Sequence, residues 1–301
     1  MRMREPGKVC DGLWCLGRLE SNVYYLDGGQ EAMLISGGLT YLAPLLLEQM
    51  ACFGLAEEKI SKLLILHSHF DHVGVVPFFK RRLPGMQVFA SPRAWQILAK
   101  PQAVATVNQF SRAAAQMYGP PDLYQRYDLD WPAELGGQAV SDGEVISVGP
   151  YQVQIIEVPG HSSCSIAAYV PALKALLPSD AGGIPHAETI VAAGNSNFTQ
   201  YQQSLHKLKP LAVDYLCADH FGYVAGEEAG GYLERSIEAA AQERARLEVI
   251  LREVGEPEDA ARQMTEQFFA ENPDYFLPRQ IFEGVARQKM RHLASCLAQQ
   301  D

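Results

Sequence analysis

Residues 63–72 have the sequence LLILHSHFDH, in which an apolar run leads directly into a cluster of polar side chains. The apolar run predicts a short buried strand, and the cluster at its end consists of His67, His69, Asp71 and His72. Imidazole nitrogen and carboxylate oxygen are ligands that zinc and similar divalent metals take in proteins. The alternative, a surface or core group of histidines, does not explain why these residues cluster at one strand end. The stretch therefore predicts a metal-binding turn.

Three later strands are also predicted to end at a residue that can bind a metal. His161 follows a strand and a Pro-Gly turn, Asp180 ends another strand before Ala-Gly-Gly, and His220 ends a third. Any one of these alone could be a capping or core residue, but their shared position at strand ends favours a single cleft. The remaining histidines are predicted to be solvated, one in a loop and two on helices: His186, His206 and His292.

The composition is that of an ordinary globular protein, with 48% apolar and 20% charged residues in a chain of 301. The formal net charge of −10 argues against nucleic acid as a partner, because phosphate binding needs clustered Lys and Arg. The short basic run at residues 80–82 is better explained as a helix end. A small-molecule substrate is therefore the expected partner.

Neither export nor membrane insertion is expected from the sequence. The basic N-terminal residues are not followed by the apolar segment of a signal peptide, and no apolar run approaches the length of a membrane span. The six cysteines show no spacing typical of a disulfide framework or a zinc knuckle. Reduced thiols in the cytoplasm are the simplest interpretation.

The first half of the chain predicts a mixed sheet with helices on its outer face. Strands are expected at 12–19, 22–26, 31–35, 62–66 and 87–90, and helices at 40–53 and 73–83. A helical and loop insertion is predicted at 91–131, where it could form the rim of a site. The second half repeats this outline, with strands at 138–140, 145–148, 153–158, 166–170, 175–177 and 215–218 and a helix at 199–208. We therefore predict an αββα sandwich over residues 1–226, with two sheets stacked face to face.

Strand character disappears in residues 227–301, which are predicted to form a helical extension. Gly255 ends one helix and Pro257 suits the first turn of the next. The last helix, 279–297, carries one stripe made of Phe282, Ala286, Lys289, Leu293 and Leu297. The extension could pack structurally, form a homodimer face, or cap the site and shape its pocket.

The pattern His-x-His-x-Asp-His, followed by a Gly-His turn, an Asp and a His, resembles the metallo-β-lactamase-fold hydrolase superfamily over about residues 10–226. Within that superfamily the chain resembles the dinuclear branch of thioesterases, lactonases and glyoxalase-II-like enzymes. Its length and C-terminal helices also resemble quinolone-response-type members, which is a weaker match. The resemblance implies a four-layer metallo-β-lactamase sandwich with a C-terminal helical extension.

The resemblance also implies a ligand set for two divalent transition metal ions, zinc first and iron or manganese as alternatives. One ion would be held by His67, His69 and His161, and the second by Asp71, His72 and His220, with Asp180 between them. Two such ions lower the pKa of a shared water and polarise a substrate oxygen. Asp71 is the implied catalytic residue, which would orient that water or accept its proton.

Two departures from the family pattern matter. Ser36 stands where many members have an acidic residue that supports the metal-bearing turn, so altered support is expected here. The segment after Asp180 lacks the tyrosine with which lactonase-type members hold substrate, which ranks lactones below thioesters.

The predicted function is metal-dependent hydrolysis of a small ester-like substrate, a thioester first and a phosphodiester or lactone next. A second class is a metal-containing regulatory protein that binds a partner and has little turnover. A redox diiron protein is disfavoured, because that branch usually has Glu in place of His69 and relies on a flavin domain that is not found in this sequence.

Overall fold

The computed structural model describes residues 1–299, and most of its strands belong to two seven-stranded sheets. Strands and helices are numbered here in chain order. The first sheet contains, in spatial order, β2 (Gly7–Cys10), β3 (Leu13–Arg18), β4 (Ser21–Asp27), β5 (Ala32–Ile35), β6 (Ile60–Leu64), β7 (Gln87–Ala90) and β8 (Gln138–Ala139). Pairing is antiparallel from β2 to β5 and parallel from β5 to β8.

The second sheet has a similar mixture of strand directions. Its spatial order is β1 (Arg2–Met3), β16 (Tyr223–Ala225), β15 (Tyr215–Cys217), β12 (Ala175–Leu177), β11 (Ile166–Val170), β10 (Tyr151–Glu157) and β9 (Val145–Val148). All neighbours are antiparallel except β12 and β15. A separate hairpin consists of β13 (Ile184–His186) and β14 (Thr189–Val191).

Helices cover the outer face of each sheet. The first group is α1 (Ala43–Phe53), α2 (Val76–Arg82), α3 (Pro92–Leu98), α4 (Pro101–Tyr118) and α5 (Leu123–Arg126). The second group is α6 (Phe198–Leu208), α7 (Glu227–Gly230), α8 (Tyr232–Val254), α9 (Pro257–Glu271) and α10 (Arg279–Leu297). The order of layers is therefore helices, sheet, sheet, helices, which confirms the predicted αββα class.

Strand alternation explains why the sheets are buried on both faces. In β4, Val23 and Tyr25 face the first group of helices, whereas Tyr24 and Leu26 face the second sheet. Successive strand residues point to opposite sides, so an almost continuous apolar run can fill two layers at once. The core between the sheets is completed from the other side by residues such as Val153.

The prediction omitted several short strands. β1 and β16, the edge strand β2, and the hairpin of β13 and β14 have two to four residues each, too few to show alternation. His186 was predicted in a solvated loop, and this was wrong. It ends β13, half-buried, with its ring against the rings of Phe221 and Tyr275 at 4.9 and 5.3 Å.

The C-terminal helices pack on the second sheet's outer face. α8 lies along α6, and α9 and α10 pack on each other and on α8. In the predicted stripe of α10, Phe282, Ala286, Lys289 and Leu293 are buried. Within residues 1–299, no helix is long and apolar enough to cross a membrane. The homodimer stays a prediction.

Candidate metal centre

The motif at residues 67–72 forms a tight turn directly after β6. Phe70–His72 is one turn of 3-10 helix, and the backbone around it is hydrogen-bonded to the loop that follows β5. Gly37 N donates to His72 O at 2.9 Å, and Gly74 N donates to Gly38 O at 2.8 Å. A Cβ on Gly74 would lie 2.2 Å from the backbone nitrogen of Thr40, so only glycine allows this close approach. The turn is therefore fixed by backbone on both sides.

The first trio of ligand atoms converges on one point. His69 Nδ1 lies 3.1 Å from His67 Nε2 and 3.1 Å from His161 Nε2. Two nitrogens bound tetrahedrally to zinc at about 2.0–2.1 Å are separated by about 3.3 Å, so the trio has nearly the spacing of a metal site. His67 and His161 are buried, and His69 is partly exposed.

The second trio is formed by Asp71, His72 and His220. Asp71 Oδ2 lies 3.5 Å from His72 Nε2 and 3.7 Å from His220 Nε2, and the two ring nitrogens are 3.3 Å apart. All three side chains are buried. The structure thus brings together residues from the turn after β6 and from the end of β15, as their strand-end positions predicted.

Asp180 lies between the two trios. Its Oδ2 is 3.4 Å from His161 Nε2 in the first trio and 3.4 Å from His72 Nε2 in the second. Its Oδ1 is buried and 3.5 Å from His220 Nε2, and within residues 1–299 it accepts no hydrogen bond. A buried carboxylate beside six converging nitrogen and oxygen atoms fits two divalent cations, which would compensate its charge, and all seven predicted ligands lie in this one cluster.

Each buried ligand histidine donates its other ring nitrogen to an acceptor. His161 Nδ1 donates to Ala193 O at 2.9 Å, and His220 Nδ1 donates to Glu20 O at 2.7 Å. His67 Nδ1 donates to Ser179 Oγ at 3.1 Å. With the proton held at Nδ1, the lone pair of Nε2 points into the cluster, as a metal ligand requires.

Asp219 supplies support that the sequence analysis missed. Its Oδ2 accepts from His72 Nδ1 at 2.7 Å, from Ser179 Oγ at 2.6 Å and from Ser36 Oγ at 2.9 Å. A carboxylate is therefore present beneath the turn, but it comes from the residue before His220 rather than from position 36. The sequence Asp219-His220 was the available signal, because only one of two adjacent polar residues was assigned a role.

Backbone strain accumulates around this support. Ser36, Ser179 and Phe221 are non-glycine residues with positive φ, at 70°, 51° and 62°. Ser36 and Ser179 bind Asp219, and Phe221 follows His220 directly. Such conformations cost about 1–3 kcal/mol each and are kept where the surroundings fix them, often at functional sites.

The two trios differ electrostatically. Burial, together with neighbouring imidazoles, lowers the pKa of His67 and lowers that of His161 to about 4. Burial also opposes charge on His72, but the carboxylates of Asp71 and Asp180 outweigh it and raise its pKa. Burial likewise opposes ionisation of Asp71, whose pKa is nevertheless held below its usual value by His72 and His220. The first trio is therefore neutral, and the second attracts positive charge.

The cluster lies at the wall of a cavity of about 830 Å³. The opposite walls come from the insertion, through α3 and α4, and from α8, α9 and α10. Apolar residues contributed by these segments include Ile97, Val107, Phe110, Met264, Phe268 and Phe282. The candidate ligands therefore share one cavity with residues of the insertion and of the C-terminal helices.

The loop between α9 and α10 reaches the ligands themselves. The ring of Phe276 stacks on that of His220, with centroids 4.5 Å apart. Tyr275 is buried, and burial, followed by the nearby carboxylates of Asp180 and Asp71, raises its pKa. Its hydroxyl thus stays protonated in the cavity that Tyr275 lines together with Asp71 and Asp180, a placement that sequence spacing could not reveal.

A model of the metallo-β-lactamase superfamily matches residues 16–220. This range includes every predicted ligand and more than half of the chain. The chain belongs to the metallo-β-lactamase superfamily. Membership confirms the recognised family.

Two curated relatives of this metallo-β-lactamase superfamily chain differ in activity. It is 28% identical over 193 residues to an atrochrysone carboxyl ACP thioesterase of Aspergillus fumigatus, covering 64% of this chain and 47% of the relative. It is 24% identical over 200 residues to a nitric oxide reductase of Moorella thermoacetica, covering 60% of this chain and 43% of the relative. The chain therefore spans less than half the length of each.

Solved structures of the superfamily share the fold. A metallo-β-lactamase family protein of Thermus thermophilus has a TM-score of 0.69 at 22% identity, covering 97% of this chain and 95% of its own. A B3 metallo-β-lactamase with an active-site glutamic acid has a TM-score of 0.57 at 22% identity, with coverages of 79% and 89%. The broad coverage of the Thermus protein includes the C-terminal helices.

Replacing Asp219 by asparagine is expected to weaken metal binding about 10- to 100-fold, as is typical for a carboxylate that orients a ligand histidine. The substitution replaces the charged carboxylate with a neutral amide at the position where Oδ2 accepts from His72, Ser179 and Ser36. Competition for zinc against a fluorescent chelator measures the change. The matched control is Asp214→Asn, at an exposed carboxylate in the same segment. Equal affinities of the two variants would contradict the assignment.

Replacing Gly160 by alanine is expected to displace His161. Gly160 has a φ of +127°, and a Cβ there would lie 2.1 Å from the backbone nitrogen of Tyr201 in α6. Gly143→Ala is the control, because its φ is +81° but nothing lies within 4 Å of the new Cβ. Thermal unfolding should show a loss of more than about 2 kcal/mol beyond that of the control, with reduced metal content. Matching unfolding temperatures would show that the turn tolerates the side chain.

Proposed function

We propose that this protein hydrolyses a small ester-like substrate, a thioester first, at a centre of two divalent metal ions. The observation that carries the proposal is the sharing of Asp180 between two trios at the wall of one cavity. The thioester is favoured by the curated relative named as a thioesterase. Zinc is the first candidate for both ions, with iron or manganese as alternatives, because an all-nitrogen and oxygen ligand set suits each.

The roles of the residues follow from their positions. When bound, two divalent ions lower the pKa of a shared water and polarise the substrate carbonyl. Asp71, charged and buried beside His72 and His220, would orient the attacking water. The apolar walls from α4, α9 and α10 exclude bulk water, which strengthens electrostatic interactions inside the cavity.

The C-terminal helices are proposed to cap the site. Phe268, Tyr275, Phe276 and Phe282 form an aromatic cluster on the cavity wall, and Phe276 stacks on a ligand histidine. The substrate's acyl part would lie against this cluster. The cap would select substrates by shape, while the metal centre performs the same chemistry on any that enter.

Tyr275→Phe is expected to lower kcat about 10- to 100-fold, because its hydroxyl would donate to the oxygen on which charge develops. The raised pKa keeps the hydroxyl protonated, and Tyr275 lines the same cavity as Asp71 and Asp180. Steady-state kinetics on metal-loaded protein measure the loss, with exposed Tyr118→Phe as the control. An unchanged kcat would leave Tyr275 as a wall residue only. The segment after Asp180 lacks the tyrosine with which lactonase-type members hold substrate, but Tyr275 lines the same cavity from another part of the chain. Lactones therefore stay an alternative class of substrate.

A substrate panel on metal-reconstituted protein tests the proposal. Its members are an acyl thioester of N-acetylcysteamine, a p-nitrophenyl ester of the same acyl group, a γ-lactone and bis(p-nitrophenyl) phosphate. The thioester is expected to have the highest kcat/KM, and turnover should disappear in His69→Ala. A higher kcat/KM for the phosphodiester or the lactone would make that class, rather than a thioester, the proposed substrate. Metal-loaded protein that is inert on every member would favour a regulatory binding protein.

Redox chemistry is the second candidate function, because one curated relative is named as a nitric oxide reductase. Elemental analysis of freshly purified protein separates the two candidates. Two iron atoms per chain, with consumption of nitric oxide in the presence of a reductant, would favour redox chemistry. Zinc or manganese with turnover of the panel would favour hydrolysis.

A further inference from the structure

Lys289 is a buried cation on the predicted stripe of α10. Only 4% of the residue is exposed, yet it lines the same cavity as the metal centre. Its Nζ donates to Ala192 O at 3.2 Å and lies 5.7 Å from the ring centroid of Phe198. An ammonium has three N–H donors, and within residues 1–299 this carbonyl is the only hydrogen-bond acceptor found for it.

The acidic groups near Lys289 are committed elsewhere or too distant to pair with it. Glu243 is bound by Arg246 through two hydrogen bonds, Nε to Oε2 at 2.9 Å and Nη2 to Oε1 at 3.1 Å. Glu271 also lines the cavity, and among the described residues no carboxylate lies within 4.0 Å of Lys289 Nζ. Burial lowers the pKa of Lys289, with Glu243 opposing this and Arg246 adding to it. A buried charge without an anionic partner is costly unless a ligand supplies one.

The position of this cation relates it to the metal centre. Ala192, which accepts from Lys289, is followed by Ala193, whose carbonyl accepts from the ligand His161. Both alanines line the cavity together with His161 and Asp180. One molecule in the cavity can therefore contact the candidate ligands at one end and Lys289 at another.

We propose that Lys289 binds a carboxylate carried by the substrate's acyl chain, so that the natural substrate is an anionic ester or thioester. This rests on the proposed hydrolysis, since it names the class of substrate for the same centre. The apolar residues of α10 that line the cavity with Lys289, among them Ile281, Phe282 and Val285, hold the chain that joins the carboxylate to the scissile bond. The cation would thus fix the direction in which the acyl chain enters.

Paired probes of equal length test the proposal on metal-loaded protein. The substrates are mono-p-nitrophenyl glutarate and p-nitrophenyl valerate, which differ by a terminal carboxylate. Lys289→Met is expected to raise KM for the glutarate ester about 10- to 100-fold, the effect of losing a hydrogen bond to a charged partner. The kcat for both esters and the KM for the valerate ester should stay within about twofold. Lys289→Arg should restore most of the preference, and Lys209→Met, at an exposed lysine on the neighbouring surface, is the matched control.

Binding of the products separates failure of this proposal from failure of hydrolysis. Calorimetry with glutarate and valerate should show tighter binding of glutarate to the wild type, and the preference should disappear in Lys289→Met. This holds even if no ester is turned over, because both acids present one carboxylate to the metals. Equal binding of the two acids by the wild type would overturn the proposal, whether or not the variant folds. If Lys289→Met weakened the binding of glutarate and of valerate equally, the proposal would also be overturned, because Lys289 would then have a purely structural role.

Discussion

Asp180→Ala is expected to reduce turnover of the best panel substrate more than about a thousandfold and to lower the bound metal below two ions per chain. Removing a residue that only orients a ligand costs about 10- to 100-fold, and Asp180 lies between both trios. Its Oδ2 is 3.4 Å from Nε2 of His161 and of His72, one in each trio. Without it, Asp71 would be the one carboxylate left among the candidate ligands to balance two divalent cations.

Two measurements together decide this prediction. Elemental analysis counts the ions, and steady-state kinetics at saturating metal separate weaker metal binding from lost chemistry. Asp274→Ala is the matched control, because its carboxylate is exposed in the loop between α9 and α10. A variant that keeps two ions but loses turnover would assign Asp180 to the chemistry. Full turnover with two ions would exclude it from the centre.

The sequence was sufficient to predict that the seven candidate ligands lie together, because each follows a recognisable strand. The run at 63–66 is apolar enough to be buried on both faces, so the polar residues after it stand at its exposed end. The same argument applied to His161, Asp180 and His220. Sheet stacking then brings these ends to one edge, which explains why all seven candidate residues cluster.

The support beneath the turn could not be predicted from spacing. Asp219 contacts Ser36 across 183 positions of the chain and Ser179 across 40, and no local pattern relates residues so far apart. The sequence shows that position 36 lacks the acidic residue of the family pattern. It does not show that Asp219 supplies the carboxylate instead, because that depends on which sheet edges meet. Long-range pairs of this kind follow from tertiary packing rather than from periodicity.

The C-terminal helices, too, could be predicted from the sequence only in part. Their helical spacing predicted one stripe on α10, and four of its five residues are buried, with Leu297 partly exposed. The spacing could not show that Lys289 in this stripe lines the cavity or that the loop at 272–278 contacts the ligands. Tyr275 and Phe276 reach the ligands only because α9 and α10 pack against each other, which brings their connecting loop to the centre.

Removal of residues 227–301 is expected to abolish cooperative folding. Helices α8, α9 and α10 bury large apolar side chains in the core that covers the second sheet, including Tyr232, Leu233, Leu247, Met264, Met290 and Leu293. Burial of each such side chain contributes about 1.5–3 kcal/mol, and six of them together match or exceed the net stability of a typical domain, about 5–15 kcal/mol. The truncation would also expose Phe198, Tyr201 and Leu205 of α6.

Thermal unfolding followed by circular dichroism and binding of a hydrophobic dye measure this effect. A shorter truncation after residue 297 is the control, since Ala298 and Gln299, the described residues that it removes, are exposed. We expect the long truncation to lack a cooperative transition and to bind the dye, whereas the control should unfold like the full chain. A 1–226 fragment that melts cooperatively would instead show that the helices form a separate unit. In that case the cap could be tested directly, because a fragment with the substrate preference of the full chain would exclude it.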